Sequence, residues 1–392
     1  MSDVPLVIAG AGIGGLAAAL HLGAGGRKII IIEKAERLEA VGAGLQISPN
    51  ALKVLQKLGL GSSIRAAAFR PEAISIRSMR NGREIAQVPL GMTIKRRHGA
   101  PYLVLHRADL QTTLLEATRQ HDNIEVRLAT RLVDAEQDAD GVSLRLETSH
   151  GSDHLRADAL IGADGVWSTV RRRILGLRQA VFSGRTAYRA VVDIEGVAET
   201  WRSTTGLWLG ADAHVVHYPI SAGKKLNIVV LVKERWEEET WSTPAGSETL
   251  LARFPNAPAD LKALLQQPQG WLKWALCGMD PGSTWVDGRI GLLGDAAHAM
   301  LPFVAQGAAM AIEDAAILGQ CFDRNENAAQ ALVAYEAARR ERADRVLRVA
   351  RDNDGIYHMG FPLSLARDAV LSRISPERLL SRYDWLYGWE AD

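Results

Sequence analysis

The residues of this chain best suited to chemistry sit in three glycine-bearing turns, each with a carboxylate beside it. The first is Gly10-Ala11-Gly12-Ile13-Gly14-Gly15, followed at the end of the next apolar run by Glu33. In a G-x-G-x-x-G turn, Gly10 permits the tight bend, Gly12 lets the backbone approach a phosphate, and Gly15 allows a helix to pack closely on a strand. The amides and positive dipole end of the following helix then face the anion. An acid about 20 residues further on can hold ribose hydroxyls, and Glu33 stands there. This combination predicts a dinucleotide site. The second turn is Asp164-Gly165 and the third Gly294-Asp295, each following a short apolar strand. Carboxylates so placed can accept hydrogen bonds from a polyol or a ribose. Gly307 precedes a helix whose positive end would stabilise negative charge above it.

These turns need elements to position them. Val4–Ala9 reads as a strand, Leu16–Leu22 as a helix ended by Gly25-Gly26, and Lys28–Ile32 as a second strand, which together make a βαβ unit. Asn50–Gly59 and Asp109–Gln120 read as helices. Ala73–Met79 and Arg83–Val88 flank Asn81-Gly82, a two-residue hairpin signal. Thr186–Ile194, Gly206–Leu209, His214–Ile220 and Leu226–Val232 predict a second sheet, Thr240–Pro268 is expected to be mostly helical, and the chain from Ala308 onward reads as helices. Within His214–Ile220 strand alternation puts His214, Val216 and Tyr218 on one face and turns His217 away. Arg339, Arg340, Arg342, Arg345, Arg348 and Arg351 are interleaved with acids and read as a solvated helix face.

Composition narrows the function. A net charge of +1 offers no field for nucleic acid or an anionic membrane. The apolar run near the N-terminus is broken by Gly10, Gly12, Gly14 and Gly15, and no other run approaches a membrane span. Cys277 and Cys321 are too few for a disulfide framework; both are expected to be small buried hydrophobes, and the setting to be cytoplasmic. No histidine or cysteine spacing fits a metal site, and no G-x-S-x-G elbow occurs.

Taken together, Gly10–Gly15, Glu33-Lys34, Gly42-Ala43-Gly44-Leu45-Gln46, Pro49-Asn50-Ala51, His106–Leu110, Gly162–Gly165 and the Gly294–Met310 block resemble the single-component FAD-dependent aromatic hydroxylases related to p-hydroxybenzoate hydroxylase. Within these the chain is most similar to the salicylate, 3-hydroxybenzoate and 6-hydroxynicotinate hydroxylase branch. The resemblance implies an α/β fold: a Rossmann-type (GR2-like) FAD-binding domain with an inserted mixed β-sheet substrate domain and C-terminal helices. The FAD domain would comprise 1–72, 101–183 and 285–325, the substrate domain 73–100 and 184–284, and the helical region 326–392.

The resemblance also implies residue roles. Gly10, Gly12, Gly14 and Gly15 would cradle the pyrophosphate of a tightly bound FAD, with Glu33 and Lys34 at the adenosine ribose and Leu132 against adenine. Gln46 and Arg107 would lie near the ribityl chain and pyrophosphate, Asp164 in a motif serving both FAD and NAD(P)H, Asp295 on the ribityl hydroxyls, and Gly307 and Ala308 beside the flavin ring. Pro302 and Phe303 would help wall that ring. NADH or NADPH would bind transiently, O2 would add to the flavin as a C4a-hydroperoxide, and a small aromatic substrate would attack its distal oxygen. His214 and Tyr218 would contact substrate, with His214 the base for its hydroxyl. Arg185, Arg189 and His298 are expected to be structural, and His98, His150 and His217 non-catalytic. A monomer or homodimer is expected, and a larger or non-aromatic substrate is the alternative.

Overall fold

The computed structural model describes residues 4–38, 44–237, 240 and 242–391. Gly42 and Ala43, part of one motif above, lie outside the described residues. The βαβ unit forms the centre of a six-stranded sheet. Its order is Val286–Asp287, Ile290–Leu292, Ala159–Gly162, Leu6–Ala9, Ile29–Ile32 and Ile124–Arg127. All neighbours pair in parallel except Val286–Asp287. Leu6–Ala9, Ile29–Ile32 and Ala159–Gly162 are buried at every position. An uninterrupted apolar strand is what a parallel sheet covered on both faces requires. The strands that carry the three glycine–acid turns therefore lie side by side, although residues 9, 162 and 292 are far apart in sequence.

The helix Ile13–Ala24 starts on the first turn and packs against the helix Gly307–Arg324. Two glycines make this approach possible. Gly10 has φ +108°, and a Cβ there would stand 2.5 Å from the Ala163 carbonyl oxygen. A Cβ on Gly15 would stand 2.0 Å from the Gly10 carbonyl oxygen. Backbone cannot yield as a flexible side chain can, so Gly15→Ala is expected to cost about 2–3 kcal/mol. Urea unfolding of the purified variant checks this, and an unchanged midpoint would refute it.

The second sheet has eight strands, in the order Ser242–Gly246, Gly270–Gly278, Val181–Asp193, Lys225–Lys233, Ala213–Ile220, Thr205–Leu209, Ala73–Ser78 and Glu84–Pro89. Its register aligns Arg189, Val229 and Val216 in one row and Ala187, Leu231 and His214 in the next. These residues share one face. The opposite face carries Tyr188, Val215, Ile228 and Val230 into a separate core with Trp201, Trp208 and Trp271. His217 points into that core, its ring 5.0 Å from Trp201, and burial pulls its pKa down to about 3. The strand alternation read from the sequence thus holds.

Some local readings differ. The 240–268 stretch contains the strand Ser242–Gly246 ahead of two short helices, Ser247–Leu251 and Ala259–Leu265. It pairs with Gly270–Gly278, whose partner strand satisfies its backbone where local propensity alone would not. The hairpin at Asn81-Gly82 forms, but with a wider turn closed by the Ser78 amide on the Arg83 carbonyl at 2.9 Å. Cys277 and Cys321 are half-buried rather than buried. No helix among the described residues is long and apolar enough to cross a membrane.

The arginine run needs the largest correction, at Arg339 and Arg342, while Arg345, Arg348 and Arg351 are exposed as the sequence reading has them. In the helix Ala328–Tyr357, Arg339 is 1% exposed and lies on the same stripe as Leu332, Tyr335, Ala343 and Val346. Its guanidinium reaches Glu313 and Asp314 at 2.8 Å each. Arg342 adds a 2.6 Å contact to Glu313, and Asn50 donates to Glu313 at 2.6 Å. Asp314 also accepts from the Gly294 amide at 3.1 Å and sits 2.6 Å from His298. The cations face inward because two buried carboxylates on the neighbouring helix demand counter-charges. This network ties the Gly294-Asp295 turn to both long helices.

Candidate active site

The six-stranded sheet presents its glycine turns toward the inner face of the eight-stranded sheet. Between them lies a cavity that gathers nine of the sequence-predicted residues: Gly12, Gly14, Gln46, Arg107, His214, Tyr218, Asp295, Gly307 and Ala308. Gly10 and Gly15 lie in the turn beneath it, where they set its shape. A Cβ on Gly12 would meet nothing within 4 Å, so that backbone faces open space. Gly294 has φ +62° and projects Asp295 as an exposed carboxylate at the cavity wall. Arg107 is exposed at the start of the helix Arg107–Thr118, and no acidic partner for it occurs among the described residues.

The remaining predicted residues are placed differently. Glu33 is not a wall of the cavity but lies next to the first turn; its two carboxylate oxygens accept from the amides of Ala11 and Ala35 at 2.9 and 3.0 Å. Each oxygen keeps a second lone pair for a hydroxyl donor. Lys34 is exposed. Leu132 lines a separate depression with Arg131, Trp167 and Arg172, two residues after Thr130, whose amide donates to the Glu33 carbonyl at 2.9 Å. Asp164 turns inward. Its Oδ2 accepts from the amides of Thr169 and Val170 at 2.7 and 3.2 Å, while Oδ1 has no partner. Burial pushes its carboxyl up against these hydrogen bonds. Its neighbours Ala163 and Gly165, not its side chain, line the cavity.

On the sheet side, Tyr102 donates to the Gln46 Oε1, and Gln46 is hydrogen-bonded to Tyr218. The strand Gly44–Ile47 can come this close because a Cβ on Gly44 would stand 2.5 Å from Tyr218 Cε2. Burial raises the Tyr218 hydroxyl pKa, with Arg189 and Gln46 opposing, so Tyr218 is a neutral phenol. His214 is 2% exposed, packed between Phe303 at 5.4 Å and Tyr357 at 5.5 Å. Burial, then His358 and Arg185, hold its imidazolium well below the ordinary histidine range. His214 is therefore a neutral imidazole at the cavity wall.

Sequence reasoning missed one charged cavity residue outright. Arg189, taken as structural, lines the cavity. It stacks 5.1 Å from the Trp274 ring, it has no carboxylate partner among the described residues, and its Nε is a buried donor without an acceptor. A signal existed: alternation puts Arg189 on the face of Ala187 and in the row of Val216. Arg185, by contrast, is structural as expected, paired with Asp354 at 2.6 Å. His298 is buried on Asp314, consistent with a positioning role. Pro302 lines the cavity, and Phe303 packs behind His214. No cluster of potential metal ligands occurs among the described residues.

Comparison with known proteins agrees with this fold. Residues 3–350 match the model of the FAD binding domain family. The chain is 37% identical over 389 residues to 3-hydroxybenzoate 6-hydroxylase 1 of Aquipseudomonas alcaligenes, covering 98% of each chain. It superposes on Klebsiella pneumoniae HpxO complexed with FAD and uric acid with a TM-score of 0.86 at 27% identity, covering 98% of this chain and 97% of that one. A salicylate hydroxylase substrate complex gives 0.82 at 27% identity, covering 99% and 96%. The open backbone at Gly12, the uncompensated Arg107 and the exposed Asp295 fit an FAD laid across the glycine turns. The chain belongs to the FAD-binding flavoprotein hydroxylases and is an FAD-dependent aromatic-ring monooxygenase.

Proposed function

We propose that this enzyme hydroxylates a hydroxybenzoate-class substrate, a small aromatic ring bearing one carboxylate and one hydroxyl, with 3-hydroxybenzoate the first compound to test. The observation that carries this reading is the pairing of an uncompensated cation, Arg189, with a neutral base, His214, on one face of one sheet. The two lie two strands apart and two residues apart along the strands, about 12 Å between their backbones, a span that a substituted benzene ring bridges between two inward-reaching side chains. The relatives' names support the same class: they act on 3-hydroxybenzoate and, in Streptomyces platensis, on 3-amino-4-hydroxybenzoate.

When bound, FAD reduced by NADH or NADPH supplies the activation of O2. The chain does the rest. Gly10, Gly12, Gly14 and Gly15 with Arg107 would hold the pyrophosphate, Glu33 and Lys34 the adenosine ribose, and Leu132 the adenine side. Asp295 would take the ribityl hydroxyls, and Gly307 and Ala308 would flank the ring. Asp164 would serve by shaping the Ala163–Gly165 backbone, since its own carboxylate caps the next turn. Arg189 would bind the substrate carboxylate, Tyr218 and Gln46 would orient the ring, and His214 would accept the proton of its hydroxyl. A phenolate is the better nucleophile, which is why a base is needed. The domain limits given above, a cytoplasmic setting, and a monomer or homodimer complete the proposal.

The test is NADH and NADPH oxidation with a panel of hydroxybenzoates and identification of the product. 3-Hydroxybenzoate is expected to stimulate oxidation and yield 2,5-dihydroxybenzoate. A flavin-loaded enzyme indifferent to every member would overturn the substrate class in favour of a larger or non-aromatic one. Arg189→Met is expected to raise KM for the acid about 10–100-fold, as the loss of a charged hydrogen bond should. The corresponding phenol without a carboxylate should discriminate little between the two enzymes. An equal loss with both substrates would remove Arg189 from carboxylate binding.

A further inference from the structure

Behind His214 lies a polar chain that no part of the substrate cavity requires. His214 Nδ1 is 2.9 Å from His358 Nε2. His358 Nδ1 is 2.8 Å from the backbone carbonyl oxygen of Asp354 and 2.9 Å from its carboxylate Oδ1. That carboxylate in turn lies 2.6 Å from Arg185 Nε. His214 and His358 are both buried, whereas the Asp354 side chain is 28% exposed. The chain therefore runs from the cavity wall, through the end of the helix Ala328–Tyr357, to a residue open to solvent.

Hydrogen-bond chemistry sets its direction. A carbonyl oxygen only accepts, so His358 Nδ1 must carry a hydrogen. In neutral His358 the Nε2 is then an acceptor, and His214 Nδ1 must donate to it. The remaining nitrogen of His214, Nε2, is left with a free lone pair. An isolated buried His214 would be a poor resting place for a proton, because nothing beside it compensates an imidazolium. His358 differs, since a carboxylate stands against it.

We propose that His358 and Asp354 are positioning residues that turn His214 into an effective base by relaying the substrate proton away from the cavity. This rests on the assignment of His214 as the base in the function proposed above. In the step, the substrate O–H bond breaks and an N–H bond forms at His214 Nε2. The Nδ1–H bond of His214 breaks and an N–H bond forms at His358 Nε2. The positive charge ends on His358, beside the Asp354 carboxylate, and the substrate is left as its phenolate. No oxidant or reductant takes part. The charged or titratable groups around the relay are Arg185 and Arg189 from the strand Val181–Asp193, Tyr357 from the helix, and Tyr218 on the strand of His214. Arg185 opposes a charge left on His214, and Asp354 favours one on His358.

Two measurements on the FAD-loaded enzyme test this. The first needs no substrate: nitrogen-15 spectra of the histidine rings should assign the hydrogen of His214 to Nδ1. A hydrogen on Nε2 would overturn the relay. The second follows ionisation of bound 3-hydroxybenzoate by its phenolate absorbance, together with kcat, as a function of pH. In Asp354→Asn and in His358→Gln, ionisation should move up by about one pH unit or more, which corresponds to a tenfold loss at fixed pH on the acid side. The loss should be recovered as pH is raised. The amide introduced by His358→Gln can still accept from His214 Nδ1, so a purely structural role would leave that variant at the wild-type profile, and such a result would overturn the proposal. FAD content and urea midpoint identify a variant that has merely unfolded, in which case the other variant and the wild-type ring spectra decide. Should wild-type enzyme fail to bind 3-hydroxybenzoate, the substrate reading falls, and the position of the His214 hydrogen still decides the relay.

Discussion

Replacing His214 by alanine is expected to lower kcat for hydroxylation by about 10²–10⁴, the range that a positioned general base supplies. The reason is local. His214 is the cavity residue whose imidazole is neutral and whose Nδ1 is already committed to His358, which leaves Nε2 to take a proton. Burial holds its imidazolium well below the ordinary histidine range. It is therefore in the base form throughout the neutral pH range, and raising the pH further should add nothing through His214 itself. Product formation should fall in the variant while consumption of NADH or NADPH continues, with oxygen returned as hydrogen peroxide. Product yield per reduced nicotinamide consumed, measured beside FAD content, checks this. If yield and kcat stay close to wild type, His214 is a wall residue and not a base. Tyr218→Phe should cost less, because Tyr218 is a neutral phenol held by Gln46, and the role proposed for it is orientation alone.

Asp314→Asn is expected to be the most destabilising single change behind the site, by about 3–5 kcal/mol. Asp314 is fully buried and faces Arg339 at 2.8 Å, His298 at 2.6 Å and the Gly294 amide at 3.1 Å. An amide of the same shape leaves two cationic partners without their shared counter-charge. Burial alone would push the Asp314 carboxyl up; His298 and Arg339 outweigh it and bring it to about 2. The sign follows from that direction. A carboxyl depressed in the fold stabilises above its unfolded value of about 3.9 and loses that contribution as pH falls toward 2. His298 behaves oppositely. Burial opposes its protonation, but Asp314 raises its pKa overall, so its contribution is complete below about 6.5 and fades as pH rises through the folded value. The pair should thus stabilise most between about pH 4 and pH 6.5. Urea midpoints at pH 3, 5 and 8 measure this. Wild type should peak at pH 5, and the variant should be flatter and lower. The variant should also release FAD more readily, because the Gly294 amide that Asp314 holds precedes Asp295. A variant with the wild-type midpoint at all three values would dissolve the argument.

Much of the site was legible without coordinates because its chemistry depends on local backbone demands. The Gly10–Gly15 turn leaves open space at Gly12 and no room for a Cβ at Gly10 and Gly15, where only glycine fits. The face shared by His214 and Tyr218 follows from a period of two along one strand, a property no tertiary contact can alter without breaking the ladder. Arg339 was legible in principle. It falls on the apolar stripe of its helix with Tyr335 and Ala343, yet charge interleaving favoured a solvated face. The acids that draw it inward stand 25 and 26 residues earlier on another helix. Asp164 was misplaced for the converse reason: amides five and six residues ahead compete for its oxygens.

By itself, then, the sequence determined the dinucleotide turn, the family, and which strand residues look toward the cavity. These are set by backbone sterics and by the alternation of side chains, both of which act over a few residues. The tertiary structure alone decided which charges are paired. It left Arg189 without a carboxylate partner among the described residues, buried Arg339 on Glu313 and Asp314, and brought His358 behind His214 across 144 residues of chain. The physical reason is that an ion pair or a relay is defined by distance through a low-dielectric interior, where a few ångströms decide the strength of an interaction. Separation along the chain carries no such information.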